Sequence, residues 1–190
     1  MLTPGLIAPG EPLLVLLSGG RDSVCLLDCA VAAGARVTAL HVNYGLRPEA
    51  DEDERFCREL CDRLGVELVV ERATWDGEGN VQAWARDVRY AAAERVAEGL
   101  IATGHTATDQ AETILYRLAA SPGRRALLGM APREGRVIRP LLAVTREETA
   151  AHCEARGLGW REDPTNESPL FARNRVRHGL VEELRRVHPA

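Results

Sequence analysis

The chain contains no lysine: all 24 of its basic residues are arginine. Against 28 acidic residues they leave a formal net charge of −4. That balance excludes a protein that grips nucleic acid over its whole surface, though it allows a local basic patch. The missing lysine reads first as a bias toward GC-rich codons, and second as selection for planar guanidinium contacts. No run of about 20 apolar residues occurs, so no membrane span is expected. No basic stretch precedes an apolar one at the N-terminus, which argues against a secretion signal and for a cytoplasmic protein. Low-complexity tracts and internal repeats are absent as well. A Cys-x-x-Cys pair is also missing, which weakens any reading as a zinc ribbon. Of the five cysteines, Cys25 and Cys29 are four apart, as are Cys57 and Cys61, and Cys153 stands alone. The preferred reading is five buried small hydrophobes; two Cys-x-x-x-Cys pairs meeting at one metal is the sharper and less favoured one.

What is present is ordinary globular material, 45% hydrophobic and 27% charged over 190 residues. That length fits one domain, or one domain with an appendage, and is enough for a full core. Short apolar runs alternate with segments of helical periodicity. Strands are expected at Leu13–Leu17, Val37–His41, Val66–Val70, Leu100–Thr103 and Val137–Arg139. Helices are expected at Asp22–Ala33, Glu49–Leu64, from Asn80 to about Glu98, Thr108–Ala119, Arg146–Arg156 and Arg173–Val187. Gly65, Gly99 and Gly157 read as helix stops. The alternation predicts an α/β fold, a parallel doubly wound sheet with helices on both faces. Ligands of such sheets bind beyond the carboxyl ends of the strands. The loops after Leu17, His41 and Thr103 are therefore the candidate site.

The first of these loops is the most informative. Ser18-Gly19-Gly20-Arg21-Asp22-Ser23 lies between the apolar run Leu13–Leu17 and a helical segment. Glycine admits close approach of backbone to a ligand, and free N–H groups at a helix start favour an anion. The same residues also read as a common turn with an ordinary N-cap. A Walker A loop is excluded, since no Gly-Lys-Ser/Thr follows, and so is the Gly-x-Gly-x-x-Gly fingerprint.

A second group follows the fourth strand: Gly104-His105-Thr106-Ala107-Thr108-Asp109-Gln110-Ala111-Glu112-Thr113. On a helix starting near Thr108, Asp109, Glu112 and Thr113 share one face close to the positive terminus. Two carboxylates there would hold magnesium or receive a cationic substrate. They would equally be the acidic residues that any first helical turn favours. His105 reads as a hydrogen-bonded loop residue or as a participant in chemistry.

The loop Ser18–Ser23 resembles the signature Ser-Gly-Gly-x-Asp-Ser of the pyrophosphatase-loop (PP-loop) ATPases. Within that group the chain is similar to the tRNA(Ile)-lysidine synthases. The similarity rests on segments in the family's order along nearly the whole chain. These include His-Val-Asn-Tyr-Gly-Leu-Arg (41–47), Asn80 with Ala85-Arg86 and Arg89-Tyr90, Thr-Gly-His (103–105) and Asp-Gln-Ala-Glu-Thr-Ile-Leu (109–115). Further on come Leu127-Leu128-Gly129-Met130, Arg139-Pro140-Leu141-Leu142, Trp160 with Glu162-Asp163-Pro164 and Asn166, and Phe171-Ala172-Arg173-Asn174-Arg175-Val176-Arg177.

The resemblance implies an adenine nucleotide alpha hydrolase-like fold and an AMP-forming ligase. ATP would adenylate the C2 carbonyl oxygen of the wobble cytidine in the CAU anticodon of a tRNA(Ile). The ε-amine of free L-lysine would then displace AMP. The implied cofactors are ATP and Mg2+, the implied partners that tRNA and lysine, with no membrane and with a homodimer as one allowed assembly. By position, Ser18, Gly19, Gly20, Arg21, Asp22, Ser23, His41 and Asn43 would bind ATP. Asp22, Asp109 and His105 would be catalytic, with Asp22 and Asp109 holding Mg2+. Arg86, Glu112, Arg173 and Arg177 would serve lysine or tRNA. Residues 1–190 would be the catalytic domain, about 140–190 being a helical appendage, without the tRNA-gripping C-terminal domains of the family. Three positions depart from the family's pattern: Tyr44 stands where a histidine is frequent, and Thr106 and Thr108 where a second histidine and a second aspartate are. Those departures keep open a nucleotide-binding module that has lost turnover. Another PP-loop adenylating ligase or thiolase is the other alternative, though no cysteine lies between Cys61 and Cys153 to carry sulfur.

Overall fold

The computed structural model of the protein describes residues 1–121, 123–162 and 175–187. In chain order the elements are β1 (Pro12–Leu16), α1 (Arg21–Ala32), β2 (Arg36–Asn43), α2 (Ala50–Leu64), β3 (Glu67–Arg72), α3 (Val81–Val96) and β4 (Leu100–Ala102). They continue as α4 (Ala107–Ala120), α5 (Arg124–Leu127), β5 (Arg133–Glu134), β6 (Val137–Ile138) and α6 (Arg146–Ala155). A π-helical turn (Val176–Val181) runs into α7 (Glu182–Val187).

The strands form one sheet in the order β3-β2-β1-β4-β6-β5. All neighbours are parallel except β5 and β6, which make an antiparallel edge. β1 is central, and its residues alternate between two cores. Leu13, Val15 and Leu17 face a core shared with α1, α2 and α6, while Leu14 and Leu16 pack with Ala92 and Ala93 of α3 on the other face. A strand covered on both faces must be apolar throughout, which is why Leu13–Leu17 reads as an unbroken hydrophobic run.

From β1 the chain steps through α1 to β2 and through α2 to β3, on one side of β1. It then returns through α3 to β4 on the other side. Right-handed crossovers place the helices of opposite steps on opposite faces, hence α1 and α2 on one face and α3 on the other. The order reverses between β1 and β4, the switch point whose crevice at the strands' carboxyl ends takes the ligand in such sheets.

Two expectations need amending. Gly99 does not stop a helix, because α3 ends at Val96 with Ala97 as its C-cap. Its position is set by sheet packing instead: a Cβ on Gly99 would fall 2.1 Å from the Pro12 carbonyl oxygen. The last helix is not one regular α-helix either, since its described part opens with the π-helical turn. Gly65 does cap α2 in the left-handed conformation, and Gly157, with φ +61°, follows the C-cap Arg156 of α6.

Candidate nucleotide site

The loop after β1 turns on Gly19, whose φ is +83°. That angle favours glycine, and a Cβ there would lie 3.3 Å from Cys57 Sγ. Gly20 is the N-cap of α1 and offers no side-chain cap. The loop closes on itself: Ser23 Oγ donates to the Gly20 carbonyl at 2.7 Å, and Gly20 N–H donates to Ser18 Oγ at 3.3 Å. Ser18 N–H reaches Ser23 Oγ at 3.2 Å, and the two hydroxyls lie 3.1 Å apart. The result is a ring of small polar groups over an uncapped helix start, where the dipole already favours negative charge.

Distant segments hold this loop in place. Arg161 N–H donates to the Gly19 carbonyl at 2.9 Å, and its guanidinium bonds Asp53 at 2.9 Å and Glu52 at 3.0 Å on α2. Asp22, in the first turn of α1, accepts from the Thr149 hydroxyl at 2.5 Å and from Arg21 at 3.3 Å. Arg146 Nε stands 3.5 Å from the other Asp22 oxygen. That Nε is buried and, among the described residues, makes no hydrogen bond, its partner being the Asp22 carboxylate as an ion pair.

Across the crevice, β4 leads into the second loop. Gly104 presses against the first loop so closely that a Cβ would sit 3.1 Å from the Asp22 carbonyl and from Ser23 N. Glycine at 104 thus lets the loops meet. The hydroxyl of Thr103 and Nδ1 of His105 are 2.7 Å apart. Thr106 is the N-cap of α4 in a complete capping box. Both its N–H and its hydroxyl donate to one Asp109 oxygen at 2.8 Å. Glu112, one turn on and 1% exposed, receives Arg177 through two bonds, of 2.6 and 3.2 Å. Burial works to lower the Arg177 pKa, yet the Glu112 pair and the charges of Asp109 and Asp22 outweigh it and the net shift is upward. Arg177 therefore feels the charge of both aspartates, which follow β1 and β4 in the chain.

The other expected site residues fall in two groups. His41, at the end of β2, is buried with Nδ1 bonded to the Leu17 carbonyl at 2.9 Å. Burial pushes its pKa down, overcoming the upward pull of that carbonyl. Asn43 is fully engaged, donating to Asp51 at 2.9 Å and to Glu54 at 3.0 Å and accepting from Gly45 N–H. Both sit beside the first loop as supports. Arg86 is exposed on α3 and lies 4.8 Å from the Tyr90 ring centroid. No described contact brings it to Asp22 or Asp109. Arg173, Asp163, Pro164, Asn166 and the segment 171–174 lie outside the described residues. The departures at Thr106, Thr108 and Tyr44 have structural uses: the first caps α4, the second accepts from Arg146 N–H at 3.4 Å, and the third donates to the Ala85 carbonyl at 3.0 Å.

Arg146, Thr149 and Arg161 were not singled out as site residues from sequence. Thr145 and Glu148 form the capping box that starts α6, so the helix start was readable, but its partner Asp22 was not.

A glycine-hinged turn on an uncapped helix, facing a carboxylate-bearing helix across the switch point of a parallel sheet, defines an α/β nucleotide-binding domain. Residues 5–184 match the family model of the PP-loop domain, and the chain belongs to that ATP-utilising family. It is 44% identical to a tRNA(Ile)-lysidine synthase of Thermus thermophilus, over 97% of this chain and 38% of that relative. It is 41% identical to the enzyme of that name in Solibacter usitatus, over 94% of this chain and 42% of the relative. The chain thus spans about two fifths of the length of these curated relatives. The fold matches the U34-tRNA thiolase NcsA of Methanococcus maripaludis, solved with its [4Fe-4S] cluster, with a TM-score of 0.78 and 17% identity over 99% of this chain and 70% of that one. No helix among the described residues is long and apolar enough to cross a membrane.

Proposed function

We propose that this chain carries the adenylating and lysine-transferring centre of a cytoplasmic tRNA(Ile)-lysidine synthase. In that reaction the C2 oxygen of the wobble cytidine in a CAU anticodon attacks the α-phosphate of ATP and pyrophosphate leaves. The ε-amine of lysine then attacks C2 and AMP leaves. Residues 1–190 act as one catalytic unit in this reading. The packing of α6 on α1, with Leu158 and Cys153 in the shared core, supports including the part after residue 140.

The observation that carries the proposal is the apposition of the two loops at the switch point, in a chain so similar to lysidine synthases along its length. Ser18, Gly19, Gly20, Arg21 and Ser23 cradle the leaving pyrophosphate, whose charge the α1 terminus and Arg146 Nε stabilise. His41 and Asn43 hold the loops in shape. Asp22 and Asp109 supply hard oxygens of the kind that Mg2+ takes alongside nucleotide phosphates. Asp22 would offer such an ion the oxygen that faces Arg146, since its side chain is still 17% exposed and Thr149 and Arg21 hold the other oxygen. Bound there, Mg2+ would neutralise charge on the phosphates. His105, whose Nδ1 lies 2.7 Å from the Thr103 hydroxyl, would exchange a proton with the attacking amine in this reading.

Glu112 is the lysine-ammonium acceptor in this reading, and Arg177 occupies it as a resident cation. The π-helical turn that carries Arg177 is a form found frequently at functional sites. Entry of lysine would exchange one cation for another, freeing Arg177 for substrate carboxylate or RNA phosphate. Arg86 and Arg173 are assigned to lysine or tRNA on family position alone. A homodimer is the assembly proposed with them.

The test is ATP–pyrophosphate exchange and AMP release by the chain, with and without lysine and a CAU-anticodon tRNA(Ile). Exchange that requires the tRNA, and AMP release that also requires lysine, are expected. Exchange with a different carbonyl substrate, or nucleotide binding with no exchange in the longer protein, would overturn the reading in favour of another PP-loop ligase or an inactive module.

A further inference from the structure

The cysteines are not distributed as a sequence of two equal pairs suggests. Cys57 and Cys61 stay apart from the rest, Cys57 Sγ lying 3.4 Å from His41 Nδ1. Cys25 and Cys29 share the face of α1 that packs on α6, and there they meet a histidine. The ligand atoms of Cys25, Cys29 and His152 all lie within 4.8 Å of one another. Cys29 Sγ is 3.7 Å from His152 Nε2. Met1 Sδ covers the group, 3.5 Å from Cys25 Sγ and 3.9 Å from Cys29 Sγ.

Buried cysteines alone would be small hydrophobes. An imidazole nitrogen beside two of them, which also meets a carboxylate, has a different chemistry. His152 Nε2 is 2.8 Å from Asp28 Oδ2, and Asp28 also takes two bonds from Arg156, at 3.2 and 3.1 Å. If the imidazole turned its lone pair to a metal, Asp28 would keep a cationic partner and would not be left as an unpaired buried charge. Nε2 is the nitrogen that Asp28 holds, so metal binding would exchange the Asp28 hydrogen bond for a bond to the ion.

We propose that Cys25, Cys29 and His152 bind one Zn2+ ion that staples α1 to α6. Two thiol protons leave to solvent as two S–Zn bonds form, so the two thiolates neutralise the ion and the imidazole adds a neutral third ligand. Entry is by way of Met1 and His152, the former 55% exposed and the latter 20% exposed at its side chain. The staple has a consequence for the nucleotide loop. The same two helices meet again at their other ends, where Thr149 and Arg146 of α6 hold Asp22 of α1. An ion at the Cys25 end would fix the angle at which those groups meet Asp22.

The experiment uses the reduced, chelator-treated chain and needs neither ATP nor tRNA, so it is independent of the ligase reading. Titration with Co2+ as the optical probe is expected to give a thiolate-to-cobalt charge-transfer band that saturates at one equivalent and is abolished by one equivalent of Zn2+. Zn2+ is also expected to raise the thermal midpoint, as any ligand of the folded state does. Cys25→Ser and Cys29→Ser should each weaken binding by at least about a hundredfold, while Cys61→Ser binds as wild type. Absence of the charge-transfer band from the wild-type chain overturns the proposal, whatever the variants do. So does a band that persists unchanged in Cys25→Ser and Cys29→Ser, which would mark an adventitious cation.

Discussion

Two helix starts face each other across the crevice, and they are built in opposite ways. The α4 start is satisfied from within, because Thr106 and Asp109 complete each other's hydrogen bonds in a capping box. The α1 start has a glycine at its N-cap and no side-chain cap. Its loop is held instead by groups far away in sequence, namely Arg161 on the Gly19 carbonyl and Thr149 on Asp22. Any helix start presents N–H groups that need acceptors. A protein that caps one with its own carboxylate and leaves its neighbour without a side-chain cap has built the two differently: the Thr106 cap is a finished wall that holds Asp109 in place, and the α1 tip is where the proposed reaction puts the phosphates. The stability that α1 gives up at its tip is offset by the long-range contacts that brace it.

The largest expected effect comes from the two aspartates that straddle this divide. Asp22→Asn and Asp109→Asn should each slow ATP–pyrophosphate exchange by about a thousandfold, about 4 kcal/mol at the transition state. Asparagine at 109 still accepts from Thr106, so the thermal stability of that variant should stay within about 0.5 kcal/mol of wild type. Exchange at the wild-type rate in Asp109→Asn alone would reduce Asp109 to a cap and leave Asp22 as the one reacting carboxylate. Next comes a variant that gives α1 what α4 has. Gly20 has φ −71° and ψ 154°, an N-cap geometry that aspartate adopts readily. Gly20→Asp should stabilise the fold by a few tenths of a kcal/mol. It should weaken ATP binding at least about tenfold, because a carboxylate would stand where phosphate is wanted. Tighter nucleotide binding measured by calorimetry would show that the α1 tip is not the phosphate site.

How much of this division was readable beforehand follows from how local each feature is. Strand β1, the Ser18–Ser23 loop and the start of α4 are each specified by neighbouring residues, through an apolar run, two glycines and an acidic first turn. Their convergence followed from chain order alone, since alternating strands and helices make a parallel sheet with a switch point. The braces were not readable. Thr149 meets Asp22 from 127 residues away and Arg161 meets Asp53 from 108, and no local pattern encodes such pairings. Gly99 was misread because a helix stop and a close approach to Pro12 both demand glycine, and the letter is the same for each. The pairing of Cys25 and Cys29 with His152 was missed for the same reason as the braces: i and i+4 spacing gives a helix face but not what lies opposite.

Acid tests the bracing of the α1 side. Asn43 and the end of β2 are tied to α2 through Glu54, whose carboxyl is drawn from its ordinary 4.5 to about 2, chiefly by Arg72 and also by Asn43 and Arg58. A folded-state pKa below the unfolded one means that the protonated carboxyl is disfavoured in the native state. The stabilisation is therefore full above about pH 4.5 and is lost as pH falls toward about 2. Wild type should lose stability steeply over that window in urea titrations, and Glu54→Gln should lose less, because its side chain carries no proton to gain. Equal slopes in the two proteins would show that this network does not govern the acid limb.

The smallest effect is expected on the finished wall. Thr106→Ala removes the hydroxyl that both caps α4 and donates to Asp109. Loss of such a cap costs about 1 kcal/mol, which for a chain of this length lowers the thermal midpoint by about 2–4 °C. Thr106 N–H still donates to Asp109, so the carboxylate keeps its place and ATP–pyrophosphate exchange at 25 °C should stay within about twofold of wild type. The contrast with Gly20→Asp is the point of the measurement. At the α1 tip a change that stabilises the fold should damage function, and at the α4 tip a change that destabilises the fold should spare it. A Thr106→Ala protein that keeps its midpoint but loses exchange would invert that relation. It would place Thr106 among the groups that touch the nucleotide, and the wall would have to be redrawn as part of the site.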